Sequence, residues 1–202
     1  MHPSSSKLQK LRDLASQSGV LHARELSLLG IPRRYLTLLC AEGSLVKVAR
    51  GVYQPSDAPD TIHLGLAQAA KAAPKGVVCL LSALRFHEIG AKLPRQVWMA
   101  LDRRAAKPRT TWPVIRWARF SGPALTEGIA FHDIVGVQVP IYSPAKTVAD
   151  CFKYRNKIGL DVALEALREV MAGRRCAIDD LWKYAKVCRV AQVMQPYLEA
   201  LS

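Results

Sequence analysis

The spacing of apolar residues predicts three short helices and a hairpin at the start of the chain. Apolar side chains recur at helical intervals in residues 7–17, 23–29 and 32–42, and β-branched residues cluster in 45–53. Gly30 separates the second helix from the third, and Gly43 stands where a helix commonly ends in the left-handed conformation. Helix, helix, tight turn, helix and two-stranded ribbon is the order of a winged helix-turn-helix. We therefore expect residues 1–57 to form that domain.

The third predicted helix has an apolar face and a basic face. Leu36, Leu39 and Cys40 share one side at helical spacing. That spacing leaves three polar residues on the other side, namely Arg33, Arg34 and Thr37. Pro32 suits the first helical turn, so the two arginines follow directly at the end of the helix that enters the major groove in this motif. The sequence thus predicts that these three residues contact DNA bases.

The hairpin that follows is predicted to be the wing. Gly51 can take the positive φ that a tight hairpin requires, which places Arg50 at or near the tip. Lys47 precedes it on the first strand of the ribbon. We expect Lys47 and Arg50 to contact the DNA backbone or the minor groove.

Beyond a turn-rich linker at residues 56–60, the pattern changes to a mixture of strands and helices. Period-2 or β-branched stretches predict strands at 96–102, 114–120, 128–134 and 135–141. Amphipathic stretches predict helices at 62–73, 143–157, 160–171, 178–190 and 193–201. We therefore expect an α+β fold: a winged helix-turn-helix, then a domain at 61–202 with a small antiparallel sheet of about four strands flanked by helices.

The net charge favours a polyanionic partner. The 202 residues carry a formal charge of +13 with an isoelectric point near 9.9. Residues 1–55 hold eight lysines and arginines against three acids, and residues 92–119 hold eight against Asp102 alone. The second block includes the segment between two predicted strands, where Arg103, Arg104, Lys107 and Arg109 lie. We expect these four residues to extend the positive surface and to contact DNA phosphates, although RNA or a protein partner stays open.

No catalytic, cofactor or metal site is predicted. The chain lacks the nucleophile-elbow, P-loop, zincin and dinucleotide-binding motifs, and His132-Asp133 would point to opposite faces of a strand. Lys146 and Asp150, four residues apart on a helix, read as a surface ion pair. A nuclease is the best enzymatic alternative, but the acids near the predicted sheet are few. A protein-interaction module that aims its basic surface at an acidic partner is a third class.

The remaining composition fits a cytoplasmic protein. Five scattered cysteines form no C-x-x-C pair, which favours reduced thiols over a disulfide framework or a zinc site. No apolar run approaches the roughly 20 residues that a membrane-spanning helix needs, and no signal-peptide pattern opens the sequence. We expect no membrane partner.

Five stretches resemble one family. They are Ala23–Leu26, Gly30–Arg33, Gly43–Tyr53, Lys75–Leu84 and Tyr142–Asp150. Together they are similar to AbiEi-type antitoxins, winged-helix transcriptional regulators of type IV toxin–antitoxin systems. The resemblance spans nearly the whole chain, which makes it more specific than a helix-turn-helix match alone.

The resemblance implies a function with two parts. One part is repression of the chain's own operon by binding double-stranded DNA at inverted repeats, with dimerisation or cooperative binding left open. The other part is neutralisation of an AbiEii-type nucleotidyltransferase toxin by the C-terminal domain, without need of a stable complex. A solitary winged-helix regulator, or a DNA-binding protein with a nuclease-like C-terminal domain, is the alternative.

Overall fold

The computed structural model describes residues 3–57, 61–108, 110 and 112–201. The chain divides into two compact units, and the division falls between Gly65 and Leu66. The sequence predicts the boundary at residues 58–60, which lie outside the described residues. The observed division instead lies within a helix, α4, which spans Thr61–Ala72.

The first unit has the element order of a winged helix-turn-helix. Its elements are α1 (Pro3–Ser18), β1 (Leu21–His22), α2 (Ala23–Leu28), α3 (Arg34–Ala41), β2 (Leu45–Ala49) and β3 (Val52–Pro55). The predicted α+β class and the N-terminal winged helix are therefore confirmed. Helix α1 begins at Pro3, earlier than the predicted start, and β1 is an additional strand.

A three-stranded antiparallel sheet closes the first unit. The strand order is β1-β3-β2, so the ribbon strand β3 is central. Strand β1 adds only two pairs, Leu21 with Tyr53 and His22 with Val52. So short a strand has no detectable period-2 pattern, which is why the sequence does not predict it.

The core of the first unit comes from one face of each helix. Leu11 and Ala15 of α1 meet Leu26 of α2, and all three are at most 2% exposed. Tyr35, Leu36 and Leu39 of α3 and Leu45 of β2 complete the cluster. Gly43 ends α3 with a φ of +72°, as predicted.

The second unit combines five strands with helices that come before, between and after them in the described residues. Its strands are β4 (Val77–Val78), β5 (Val97–Asp102), β6 (Ile115–Phe120), β7 (Ile129–Ile134) and β8 (Val137–Tyr142). After α4, its helices are α5 (Leu80–Phe86), α6 (Pro123–Thr126), α7 (Pro144–Lys153), α8 (Arg155–Ile158), α9 (Leu160–Ala172), α10 (Ile178–Val187) and α11 (Ala191–Leu201).

The sheet of the second unit is mixed, which corrects the expected antiparallel sheet of four strands. Its order is β6-β5-β4-β8-β7, with β5 parallel to β6 and β4 parallel to β8. Val97 at the start of β5 pairs with Ile115 at the start of β6, so the two strands run in the same direction and do not form a hairpin. The central strand β4 has only two residues, too few for a sequence pattern to reveal.

Helices cover both faces of this sheet. Val78, Met99 and Ile141 pack against the part of α4 that begins at Leu66. The alternate residues, among them Val77 and Trp98, face the cluster formed by α5, α7, α9, α10 and α11. Helix α7 lies at the centre of that layer, because every residue from Ala145 to Phe152 is buried. Among the described residues, no helix is both long and apolar enough to cross a membrane.

Candidate nucleic-acid interface

The predicted DNA-reading residues lie at the start of α3. The helix begins at Arg34, two residues later than the predicted start at Pro32. Arg33 precedes it with helical backbone angles, and its carbonyl accepts the Leu36 N–H at 3.0 Å. Arg33, Arg34 and Thr37 are all exposed. One turn of chain therefore presents two guanidinium groups and a hydroxyl to solvent.

Burial of the opposite side of α3 fixes this orientation. Tyr35, Leu36 and Leu39 are at most 4% exposed, so α3 has little freedom to rotate about its axis. The sequence also predicts Cys40 on the buried side, where it is half-buried. Leu38 is 46% exposed, which adds an apolar group to the outer face that the sequence reading missed. A helical projection would have found it, because Leu38 lies four residues after Arg34 and so shares its side of the helix.

The tip of the wing lies at Arg50 and Gly51, where the sequence predicts it. Ala49 pairs with Val52, so Arg50 and Gly51 form a two-residue turn, with φ at Gly51 of +74°. The Ala23 N–H donates to the Gly51 carbonyl at 2.8 Å, which ties the turn to the start of α2. Lys47 and Arg50 are exposed. The wing therefore carries two cations at positions set by backbone hydrogen bonds.

The acids of this unit do not neutralise those cations. Within residues 3–55, Glu42 pairs with Arg12 at 2.7 Å, and Glu25 accepts the His22 N–H at 3.3 Å. Asp13 accepts the Gln9 side-chain amide at 3.0 Å. Among the described residues, the cations of α3 and of the wing form no ion pair. The Arg34 guanidinium lies 5.4 Å from the centroid of the Tyr35 ring.

The second basic block divides into structural and exposed cations. Arg119 donates to the carbonyls of Asp102 and Ala105 at 2.6 and 2.7 Å, so it stabilises the turn after β5. Arg116 stacks over Trp98 at 4.4 Å. Three of the predicted contact residues are exposed on that turn or shortly after it, namely Arg103, Arg104 and Lys107. The fourth, Arg109, lies outside the described residues.

A buried ion pair in α7 corrects the reading of Lys146 and Asp150 as a surface pair. Both side chains are 0% exposed, and the Lys146 Nζ lies 2.7 Å from each carboxylate oxygen of Asp150. The ammonium group also lies 3.9 Å from the centroid of the Tyr142 ring. The spacing of four residues was read correctly, but sequence alone does not show that α7 is enclosed by neighbours on every side.

Burial dominates the protonation of this cluster. Desolvation raises the pKa of the Asp150 carboxyl to about 6, against the opposing effect of Lys146. The Cys188 thiol donates to Asp150 at 3.2 Å, and burial raises its pKa as well. The Tyr142 hydroxyl donates to the Leu125 carbonyl at 2.7 Å. Every polar group of the cluster has a partner, which is typical of a structural network.

Within the described residues, no three His, Cys, Asp or Glu side chains are placed to hold a metal ion together. His132 and His87 lie with ring centroids 6.1 Å apart, and the His87 Nε2 lies 2.8 Å from the Tyr142 carbonyl oxygen. Desolvation lowers the pKa of His87, which favours its neutral form.

Comparisons with known proteins agree with the geometry of the first unit. Among curated proteins none matches the chain significantly. The fold is similar to the crystal structure of the RV2827C protein from Mycobacterium tuberculosis, with a TM-score of 0.56 and 14% identity over 97% of this chain and 80% of that one. Residues 9–56 match the family described as "Transcriptional regulator, AbiEi antitoxin". That segment contains α3 and the wing, so the winged helix-turn-helix is similar to the AbiEi antitoxin family of transcriptional regulators.

Proposed function

We propose that the chain represses its own operon by binding inverted repeats and counteracts a nucleotidyltransferase toxin encoded beside it. The family match of residues 9–56 supports the regulatory part. The resemblance of Lys75–Leu84 and Tyr142–Asp150 to AbiEi-type antitoxins supports the antitoxin part. The observation that carries the proposal is the pair of exposed arginines at the start of α3, next to a basic wing.

DNA reading is assigned to the outer face of α3. A guanidinium group can donate two hydrogen bonds to the N7 and O6 of guanine, which discriminates against other bases by about 1–3 kcal/mol. Arg33 and Arg34 have the exposure and the freedom from ion pairs, among the described residues, that such bonds require. Thr37 can contact a base edge, and Leu38 can contact a thymine methyl group.

The affinity for DNA is assigned to the wing and to the exposed cations of the second basic block. Lys47 and Arg50 lie on the ribbon that follows α3, in position to meet the phosphate backbone or the minor groove. Arg103, Arg104 and Lys107 would neutralise further phosphates. Such contacts carry little sequence information, but each one makes binding more sensitive to salt.

Inverted repeats imply two copies of the chain on one operator. Two recognition helices related by a two-fold axis reach half-sites about 34 Å apart, which is one turn of B-DNA. We propose that two chains bind in this way, either as a dimer or cooperatively on the DNA.

The second unit is proposed to neutralise the toxin without catalysis of its own. A metal-dependent nuclease needs carboxylates that converge on metal ions. Asp102 ends β5 and accepts the Arg104 N–H at 2.8 Å. Asp133 is on the edge strand β7 and accepts the Gly136 N–H at 3.1 Å. Asp150 forms an ion pair with Lys146. These three acids therefore stabilise separate parts of the structure and do not converge on one site.

The test separates repression from neutralisation in the full chain. Cells would carry a reporter behind the chain's own promoter and an inducible copy of the neighbouring toxin gene. The variant Arg33→Ala/Arg34→Ala should lose repression and keep its rescue of growth. Lys71→Ala/Arg168→Ala removes two exposed cations from the second unit and serves as the matched control, which should keep both activities.

Two outcomes would contradict the proposal. Full repression by Arg33→Ala/Arg34→Ala would show that these arginines of α3 are not needed to read the DNA. Failure of the unmodified chain to rescue growth would remove the antitoxin role and favour a solitary winged-helix regulator.

A further inference from the structure

A basic cavity of about 770 Å³ opens in the second unit. Its walls are the end of β6, helix α6, and the C-terminal ends of α7, α8 and α10. The lining includes four exposed cations, Lys153, Lys157, Lys186 and Arg189. None of these four residues was singled out by the sequence, because they come from three separate helix ends. Neither DNA reading nor the buried ion pair of α7 uses them.

The four cations are available to a ligand. Among the described residues, the side chains of Lys153, Lys186 and Arg189 form no hydrogen bond or ion pair. The Lys157 Nζ lies 5.4 Å from the centroid of the Tyr154 ring, which leaves its donors free. Arg189 has a φ of +58°, an uncommon conformation for a residue with a side chain.

The balance of charges around the cavity indicates the charge of the anion that it can bind. The lining has two acids, Glu127 and Asp150, and Asp150 is already neutralised by Lys146. Arg119 also lines the cavity, but its guanidinium already donates hydrogen bonds to two backbone carbonyls. The C-terminal ends of α7, α8 and α10 each contribute about half a negative charge at most. Four cations against Glu127 and these three helix ends leave an excess of about one to two positive charges, which matches a phosphate group rather than a triphosphate.

The remaining lining suits a flat organic group. The Tyr154 ring stacks on Phe120 at 5.4 Å, and its hydroxyl donates to the Arg119 carbonyl at 2.7 Å. Pro123 and Ala124 also line the cavity and give it apolar surface. A volume of this size falls in the range of small-molecule sites, of about 300–1,000 Å³, and greatly exceeds the volume of an inorganic phosphate.

From the charge, the volume and the mixed lining, we propose that this cavity binds a nucleotide with one or two phosphates. The phosphates meet the four cations, and the nucleoside lies against the wall of Pro123, Ala124 and Tyr154. The site lies wholly within the second unit, so it does not depend on the DNA-binding role of the first.

Calorimetric titration of the full chain tests this site. The probes are the four nucleoside monophosphates and ADP, with adenosine and inorganic phosphate titrated separately. We expect at least one nucleotide to bind, and adenosine and phosphate to bind at least about tenfold more weakly, because each supplies only half of the contacts.

Charge-reversal variants locate the binding. Lys186→Glu and Lys153→Glu should each weaken nucleotide binding by at least about tenfold, because a cation near the phosphate becomes an anion. Lys183→Glu is the matched control, since Lys183 is exposed on the same helix as Lys186 but does not line the cavity. Absence of binding by all nucleotides at millimolar concentration would overturn the proposal. So would equal binding of adenosine and AMP, or equal losses in the Lys183 and Lys186 variants.

Discussion

Lys146 and Asp150 form an ion pair in which both side chains are buried. Taking two charges out of water is costly, and their mutual attraction offsets the cost only when the geometry is good and the remaining polar atoms have partners. Two contacts of 2.7 Å and the Cys188 thiol meet that condition. Such a pair adds little net stability compared with apolar residues, but it is expensive to break.

Removal of one partner should therefore destabilise the chain strongly. We expect Asp150→Asn to lower the free energy of unfolding by about 3 kcal/mol, because it leaves the Lys146 ammonium buried without a counter-charge. The double variant Lys146→Met/Asp150→Asn should be less destabilised than Asp150→Asn alone. Urea unfolding of the two variants and the unmodified chain measures both quantities. A double variant that is destabilised more than Asp150→Asn would show that the two residues are not coupled.

At the scale of elements, the wing depends on one backbone conformation. Gly51 has a φ of +74°, and a Cβ added there would meet only the Ala23 Cβ at 3.8 Å. Space is thus available, and the cost of a side chain comes from the conformation itself. A β-branched residue is least compatible with positive φ, whereas asparagine tolerates it.

We expect Gly51→Val to lower the unfolding free energy of the chain by about 1–2 kcal/mol. It should also weaken DNA binding, because the turn that presents Arg50 must change. Gly51→Asn keeps the backbone conformation. It should therefore lose less than half as much unfolding free energy, and less than half as much DNA affinity, as Gly51→Val. Thermal unfolding and DNA titration of the two variants make the comparison. Equal losses would indicate that contact with Ala23, rather than φ, limits the position.

Elements marked by proline and glycine, or long enough to show a periodic pattern, were the ones that sequence could predict. Pro32, Gly43 and Gly51 bracket α3 and the wing, so the module and its exposed arginines followed from local patterns. Strands β1 and β4 have two residues each and leave no periodic signal. The mixed sheet and the burial of α7 depend on which segments meet in three dimensions, and a local pattern does not encode that.

At the scale of the molecule, positive charge extends beyond the winged helix. Arg103, Arg104 and Lys107 are exposed in the second unit, and each phosphate contact adds about −0.9 to the slope of log K against log salt. Replacing the three residues with glutamine should therefore make the slope shallower by about 2–3. The control replaces Lys71, Lys75 and Arg168, which are also exposed, and should change the slope by less than about 1. Equal slopes for the two triple variants would assign the block to another partner.

The most direct test of the account is the affinity of the full chain for its operator and for random DNA. The operator is first selected from a random pool by the unmodified chain. We expect Arg34→Ala to weaken operator binding by at least about tenfold and binding to random DNA by about threefold or less, because the residue reads a base. Arg168→Ala, an equal loss of charge in α9, should change neither affinity appreciably. Equal losses on operator and random DNA would reduce Arg34 to a phosphate contact and contradict DNA reading by α3.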